Sequence, residues 1–225
     1  MLQAIAPELW HVQHAFKTAS FTISSRMTVV RLRDGSLWLH SPVPINAELQ
    51  AELAALGPVR YLVAPNKVHH LFLGEAMALY PEAEVWVAPG LPAKRKDLQG
   101  LRELGPDSEP AWREELDQIR FGGIPQGNEV VWFHRSTATL ILTDLCQCWT
   151  GDLPKRVALY AWLTGVRKRL NVPRSVRLLV RDRQAARHSA KKVLQWPFMR
   201  VVLAHDCIIE RDAHSAVAAA FHCFE

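Results

Sequence analysis

The chain has 225 residues, of which 49% are apolar and 22% charged, with a formal net charge of +5 and four cysteines. This composition is that of a globular protein and excludes an intrinsically disordered chain. No apolar run approaches the roughly 18 residues needed to cross a bilayer. The first residues, MLQAIAPELWHVQHAF, lack the basic start and apolar stretch of a signal peptide. We therefore expect a soluble cytoplasmic protein whose cysteines are thiols.

Strand and helix signals alternate in the first part of the chain. MTVVRL and SLWLHS are apolar runs separated by RDGS, which is typical of a hairpin. Asn46 is a natural N-cap for the helical pattern NAELQAELAAL, which Gly57 and Pro58 end. YLVAP then predicts a buried strand, a helix follows from about His69 to Tyr80, and EVWVAP predicts another strand.

The second part of the chain repeats this alternation after an irregular excursion over residues 91–127. EVVWFH and ATLILTD predict a second hairpin, and helices are expected over about 155–169 and 181–195. The strand RVVLAH and the apolar helix AHSAVAAAFHCF close the chain. The alternation predicts an α/β layered fold in a single domain, residues 1–225, with strand-rich halves before residue 90 and after residue 128.

Positive charge is concentrated in one stretch, which holds a single acid, Asp182. Such a patch attracts phosphates or an anionic substrate. The alternative is a solvated helical face whose long side chains lie over apolar neighbours. The twelve basic residues are Lys155, Arg156, Arg167, Lys168, Arg169, Arg174, Arg177, Arg181, Arg183, Arg187, Lys191 and Lys192.

Histidine and aspartate side chains stand where apolar strands end. His69 and His70 follow YLVAP, and His134 ends EVVWF. Asp144 ends TLILT, and His205 ends RVVLA. Strand ends at one edge of a sheet bring together side chains from distant parts of the sequence. Imidazoles and a carboxylate are suitable ligands for zinc, iron or manganese, so the pattern indicates a metal site.

The order of these residues resembles the metallo-β-lactamase superfamily. That family carries a His-x-His-x-Asp-His motif after a strand, then a lone His, an Asp that closes the next strand, and a final His. Here the motif covers Pro65–His70, and the later positions match His134, Asp144 and His205. The resemblance runs from about Met27 to His205 and implies a four-layer αββα sandwich of the metallo-β-lactamase type.

The departures from the motif remove one of the family's two metal sites. Pro65 and Lys67 stand where the family has its first two histidines, and neither offers a free lone pair to a metal at neutral pH. Only His134 of that site remains. We expect the ammonium of Lys67 to occupy part of the vacated volume and to supply the missing positive charge.

The second metal site is retained under the same resemblance. Its four positions fall on His69, His70, Asp144 and His205, with a histidine at position 69 where the family has aspartate. These ligands imply one divalent metal, zinc first, with iron and manganese as alternatives. Three imidazoles and a carboxylate either leave a coordination position open to water or close the site and make it structural.

A branch of that superfamily, found in bacteria and plants, is similar in the same altered motif. The shared segments are RMTVVRL, LWLHSPV, VAPN followed by HH, YPEAEVWVAPGL and WPFMRVVLAH. VAPN with HH stands where other members have the His-x-His run. The altered motif is thus a property of a branch, and it implies no particular activity.

The leading hypothesis is a metal-dependent hydrolase that activates water and acts on a small-molecule substrate, which the basic stretch predicts to be anionic. Lys67 and His134 are the candidate catalytic residues, which orient the substrate or stabilise the developing anion. The alternative is a non-catalytic protein of the same fold, with a structural metal or none, that acts as a binding module. The apolar last helix suggests a homodimer. A nucleic-acid partner is not expected, because the sequence shows no aromatic platform for stacking bases.

Overall fold

The computed structural model describes residues 1–17 and 22–225, and the first half of the chain forms one sheet. Its strands lie side by side in chain order, β1-β2-β3-β4-β5-β6-β7. The three pairs from β1 to β4 are antiparallel, and the three pairs from β4 to β7 are parallel. The bounds are β1 Gln3–Ala6, β2 Leu9–Lys17, β3 Thr22–Arg31, β4 Leu37–His40, β5 Val59–Ala64, β6 Glu84–Val87 and β7 Leu101–Glu103.

The second half of the chain forms a smaller sheet whose strands also lie side by side in chain order. The order is β12-β11-β10-β9-β8, and β10 and β11 are its parallel pair. A parallel pair needs a long crossover, and residues between β10 and β11 supply three helices for it. The bounds are β8 Leu116–Arg120, β9 Val130–His134, β10 Thr139–Ile141, β11 Arg200–Val202 and β12 Ile208–Ile209.

Seven α-helices lie in residues 1–17 and 22–225, and a short 3₁₀ turn follows the last of them. None of these helices has the length and apolar character that a membrane-spanning helix requires. The helices are α1 Ala47–Leu56, α2 Leu73–Leu79, α3 Leu91–Lys94, α4 Lys155–Thr164, α5 Arg174–Arg177, α6 Arg183–Val193 and α7 Ala213–Phe221.

The two sheets pack face to face between outer helices. Trp38 of β4 and Trp132 of β9 belong to one buried cluster that draws on both sheets. Helices α1 and α2 cover the other face of the first sheet, and α6 and α7 cover that of the second. The predicted four-layer αββα sandwich is therefore confirmed. Buried apolar faces on both sides explain why strands such as VVWF are apolar throughout.

Several predicted elements match the structure closely. β3 and β4 form the first predicted hairpin, and β9 and β10 form the second. Asn46 caps α1, since its side-chain oxygen accepts a hydrogen bond of 2.9 Å from the Leu49 amide. Gly57 ends that helix as predicted.

Other predicted bounds are wrong. The helix expected from His69 begins only at Leu73, because the chain between them is held in a turn. Helix α4 ends at Thr164 rather than near 169, since Gly165 adopts a left-handed conformation that stops it. The excursion over residues 91–127 contains α3, β7 and β8.

The last helix does not offer the apolar surface on which a homodimer was expected. Ala213, Val217, Ala220 and Phe221 of α7 are all buried in the core beneath the second sheet. The apolar face of this helix is therefore covered within the chain. Its composition reflects core packing and gives no reason to expect a dimer.

The tryptophans between the sheets share one buried acceptor. The side-chain oxygen of Gln118 accepts hydrogen bonds from the indole N–H groups of Trp112, at 3.2 Å, and Trp132, at 3.0 Å. Its amide nitrogen donates to the carbonyls of Gly105 and Asp107. Buried N–H groups need such partners, so Gln118 fixes the orientation of two large core side chains.

We predict that Gln118→Leu lowers the free energy of unfolding by about 3 kcal/mol, because two indole N–H groups and two carbonyls lose a buried partner. Chemical denaturation of the purified variant measures this change. Gln99→Leu is the matched control, since Gln99 is exposed and its replacement should change stability by less than about 0.5 kcal/mol. Equal stability of the Gln118 variant and the parent protein would contradict the bridging role.

Candidate metal site

Three side chains converge at one edge of the sandwich: His69 after β5, Asp144 after β10 and His205 after β11. Nε2 of His69 lies 3.3 Å from Nε2 of His205 and 3.4 Å from one carboxylate oxygen of Asp144. Nε2 of His205 lies 3.3 Å from the other oxygen of Asp144. Because β10 and β11 are parallel neighbours, Asp144 and His205 leave their sheet at the same edge.

These spacings fit a divalent ion. Ligand atoms at the corners of a tetrahedron around zinc, with bonds of about 2.0–2.1 Å, lie about 3.3–3.4 Å apart. The three separations in this cluster fall in that range. Two imidazole nitrogens and a carboxylate are also the donor chemistry that zinc accepts. His69, Asp144 and His205 can therefore hold one such ion between them.

The turn that carries His69 is shaped by Asn66. The side-chain oxygen of Asn66 accepts hydrogen bonds from the backbone N–H groups of Val68, at 2.8 Å, and His69, at 2.7 Å. An asparagine that binds the backbone two and three residues ahead holds the chain in a tight turn. This turn directs the His69 ring inward from the end of β5.

Each histidine ring is oriented through its other nitrogen. Nδ1 of His69 lies 2.9 Å from the hydroxyl of Ser41 and 3.3 Å from that of Ser25. Nδ1 of His205 donates to the backbone carbonyl of Ser24 at 2.6 Å, which fixes a proton on that nitrogen. Such outer contacts leave Nε2 of each ring directed at the site.

Two further contacts hold the segment that carries His205. Its ring stacks on the indole of Trp149, with ring centres 5.4 Å apart. The guanidinium of Arg26, on β3, donates to the carbonyls of Leu203 and of Asp206, the latter at 2.6 Å. The first sheet thus positions a ligand that the second sheet carries.

Asp144 sits on a turn organised by a second buried acid. The Glu129 carboxylate accepts hydrogen bonds of 2.8–2.9 Å from the backbone N–H groups of Thr143, Asp144 and Leu145. Asn66 donates to both acids, at 2.9 Å to Asp144 and 3.2 Å to Glu129. One amide therefore connects the turn before His69 to the turn that carries Asp144.

The electrostatics of the cluster favour an ionised Asp144. Burial by itself raises the pKa of Asp144, but His69 and His205 outweigh burial and hold that pKa well below its usual value. Burial likewise lowers the pKa of His205, yet its hydrogen bond to Asp144 and the charge of that acid raise it overall. Burial and the neighbouring Asp144 raise the pKa of Glu129. A cation between these groups relieves the repulsion of the two acids.

The structure does not bring His70 into the cluster. Among the described residues, one group of three or more histidines, cysteines and acids has ligand atoms that all lie within 4.8 Å of one another, and it consists of His69, Asp144 and His205. Nδ1 of His70 accepts a hydrogen bond of 3.1 Å from the guanidinium of Arg95, which also donates to the His70 carbonyl. His70, the predicted fourth ligand, thus lies outside this group, because adjacent residues of the turn point in different directions.

Lys67 does not occupy the vacated first site. Its ammonium donates to the carbonyl of Pro125 at 3.2 Å, and its side chain lies over Gly90. It lines neither of the two cavities that adjoin the metal cluster. The ammonium of Lys67, the first candidate catalytic group, thus lies away from the cavities that adjoin the cluster.

His134 lies at the opposite end of its sheet. It pairs with Thr139 at the start of β10, whereas Asp144 follows the end of that strand. Its ring contacts the hydroxyls of Thr137, at 2.8 Å, and Ser136, at 3.2 Å. Burial lowers its pKa to about 4. Strand β9 thus carries His134, the second candidate catalytic residue, away from the metal cluster.

A cavity of about 260 Å³ opens beside Asp144. A smaller one of about 150 Å³ adjoins His69 and His205 on the other side. The larger cavity is mainly apolar, and no lysine, arginine or histidine of the described residues is among those that line it. Those residues are Asn66, Val68, Phe121, Ile124, Gln126, Gly127, Glu129, Asp144, Leu145, Gln147, Tyr160, Val176 and Leu179.

The basic stretch therefore does not support an anionic substrate. The Arg167 guanidinium donates to the carbonyls of Trp149 and Gly151, at 3.0 and 2.8 Å. Arg174 donates to the Leu163 carbonyl at 3.1 Å. These arginines hold loops of the crossover together, which the composition of the stretch does not reveal.

Sequence reasoning missed the residues that support the ligands. Asn66 stands in the VAPN segment, and asparagine after proline is the available signal, since it commonly binds the backbone ahead of it in a turn. Glu129 is an acid at the start of the apolar run VVWF, which is the one available signal for a buried carboxylate. The serine contacts come from strands distant in the chain and leave no local pattern.

Comparisons with known proteins identify the family of the chain. Residues 7–171 match the family described as a domain of unknown function, DUF4336. A search of curated proteins found no match.

Solved metallo-β-lactamases share the fold over nearly the whole chain. The DIM-1 enzyme exposed to ceftazidime superimposes with a TM-score of 0.67 at 11% identity, covering 100% of this chain and 97% of that one. The enzyme from Pontibacter korlensis gives 0.64 at 14% identity, covering 99% and 98%. The mono-zinc form of FIM-1 from Pseudomonas aeruginosa gives 0.63 at 11% identity, covering 99% and 94%. The chain thus has the metallo-β-lactamase fold and belongs to the DUF4336 family.

Proposed function

We propose that this protein is a metal-dependent hydrolase with a single divalent ion, zinc first, held by His69, Asp144 and His205. The observation that carries the proposal is the convergence of these three side chains beside a cavity that Asp144 lines: the two Nε2 atoms lie 3.3 Å apart, and each lies 3.3–3.4 Å from a different oxygen of Asp144. Three protein ligands with a free fourth position are typical of catalytic zinc, whereas structural zinc has four.

The ion supplies Lewis acidity, which acidifies water and polarises a substrate carbonyl. The residues of the chain provide the setting for that chemistry. Asp144 contributes the anionic ligand, and its hydrogen bond from Asn66 fixes the direction of the carboxylate. The contacts of Ser41 and Ser24 with the histidine rings hold both Nε2 atoms in place. Such preorganisation keeps the ligands from rearranging as charge develops.

The second candidate is a non-catalytic protein of this fold whose ion is structural. The observation in its favour is the loss of the first metal site, where Pro65 and Lys67 stand. The Asn66 amide donates to the Asp144 carboxylate at 2.9 Å, so one of its oxygens already has a partner in the chain. The two candidates differ in whether the fourth coordination position of the ion takes water. Metal content does not distinguish them, whereas turnover of a substrate does.

We predict that the purified protein carries about one equivalent of zinc, iron or manganese, and that His69→Ala, Asp144→Ala and His205→Ala each remove most of it. Elemental analysis of the four proteins measures the content. His70→Ala is the matched control, since the neighbouring ring contacts Arg95 and should leave the metal content unchanged. Loss of metal in the His70 variant, or a metal-free parent protein, would show that the ligand set is wrong.

We predict that Asn66→Ala weakens metal binding by about 10–100-fold, because Asp144 and the turn before His69 lose a shared partner. Competition with a chromophoric chelator measures the dissociation constant. The control is Asn128→Ala, which removes a contact with the Pro89 carbonyl outside the cluster. An unchanged constant for the Asn66 variant argues that the two turns are held independently of this amide.

We predict that the protein hydrolyses generic esters, that a chelator abolishes this turnover, and that added zinc restores it. Asp144→Ala should lower kcat/KM by at least about a hundredfold, whereas His134→Ala should retain it. Steady-state assays on a panel of neutral esters supply these values. Metal-loaded protein that turns over no ester would favour the non-catalytic candidate, and turnover that resists the chelator would exclude the ion from the chemistry.

A further inference from the structure

We propose that the cavity of about 260 Å³ beside Asp144 binds an uncharged, mainly apolar acyl or aryl group, so that the substrate is a neutral ester or amide. This inference rests on the proposed hydrolase function and names its substrate class. It replaces the anionic substrate that the basic stretch predicted. Its grounds are the cavity's size, the placement of its polar groups and its charge.

The walls of the cavity are apolar and come from distant parts of the chain. Phe121 and Ile124 follow β8, and Leu145 directly follows the ligand Asp144. Val176 of α5 and the neighbouring Leu179 form the opposite wall. Since a water molecule takes about 30 Å³ of liquid volume, the space holds about nine waters. A phenyl ring or a short acyl chain that displaces them gains the stabilisation of apolar burial.

Both carboxylates that line the cavity, and the amide that joins them, belong to the metal cluster and its support. Asn66, Glu129 and Asp144 line the cavity, and their carboxylate and amide atoms are joined by the hydrogen bonds already described. Tyr160 donates to the side-chain oxygen of Gln147 at 3.2 Å. This arrangement suits a substrate whose reacting carbonyl faces the ion and whose apolar part extends between Phe121, Val176 and Leu179.

The charge of the cavity disfavours an anion in its apolar part. Two buried carboxylates, Glu129 and Asp144, line it, and no basic side chain of residues 1–17 and 22–225 does so. The nearest arginine of α5, Arg177, donates instead to the Val172 carbonyl at 2.9 Å and to the Asn171 side chain at 2.5 Å. An anionic group placed in the apolar part, away from the ion, would lose its hydration without gaining a cationic side chain as partner.

The test compares two sulfones of similar shape that differ in the charge of the part entering the cavity, neutral methyl p-tolyl sulfone and anionic 4-(methylsulfonyl)benzoate, by NMR titration of the metal-loaded protein. We expect the neutral sulfone to bind at least about tenfold more tightly than the anion. Val176→Phe should weaken binding of the neutral sulfone by about tenfold, since the larger side chain fills the cavity. Leu178→Phe is the matched control, because Leu178 is 81% exposed and does not line the cavity.

A second variant, Val176→Arg, places a cation in the wall. It should reverse the preference in favour of 4-(methylsulfonyl)benzoate, which a misfolded protein would not do. Equal binding of the two probes by the parent protein, or binding of the neutral sulfone that resists both Val176 variants, overturns the proposal. Because the titration does not depend on turnover, binding of the neutral sulfone without ester hydrolysis would remove the hydrolase function and leave the cavity's preference standing. Ester hydrolysis with an unchanged KM in Val176→Phe would leave the hydrolase function standing and remove the cavity as the place where the substrate binds.

Discussion

The Asn66 side chain is the connection on which the metal cluster depends. Its oxygen accepts from the backbone of Val68 and His69, and its nitrogen donates to Asp144 and Glu129. Two ligands from different sheets are thereby fixed relative to each other through a single amide. Because all its hydrogen-bonding groups point into the protein, no apolar replacement of the same size restores the arrangement.

Burial of two acids in one place explains why the site suits a cation. Glu129 is stabilised by three backbone N–H groups, and Asp144 by two histidines and an amide. Their mutual repulsion is nevertheless only partly relieved by these dipoles, since no basic side chain lines the adjoining cavity in the described part of the chain. A divalent ion between His69, Asp144 and His205 supplies the missing positive charge. The same distribution of charge makes the cavity beyond Asp144 a place for an uncharged group.

Much of the fold was predictable because its signals are local. The Asn46 cap, the apolar runs of the two hairpins and the strand-end positions of Asp144 and His205 follow from residue type and period. The start of α2 was not predictable in this way, because the turn that Asn66 forms with the backbone overrides the helical pattern after His69. Local periodicity shows which residues are compatible with a helix, whereas a competing side-chain bond decides where that helix begins.

The sequence by itself determined the layered α/β fold and the order in which His69, Asp144 and His205 follow apolar strands. These features depend on hydrophobic period and chain order, which are properties of the sequence. Only the tertiary structure decided that His70 faces Arg95, that Lys67 reaches Pro125 and that His134 lies at the far end of β9. The direction of a side chain at a strand end is set by the turn that follows and by partners distant in the chain. A residue's position in the sequence does not encode those contacts, so they appear only once the two sheets have packed.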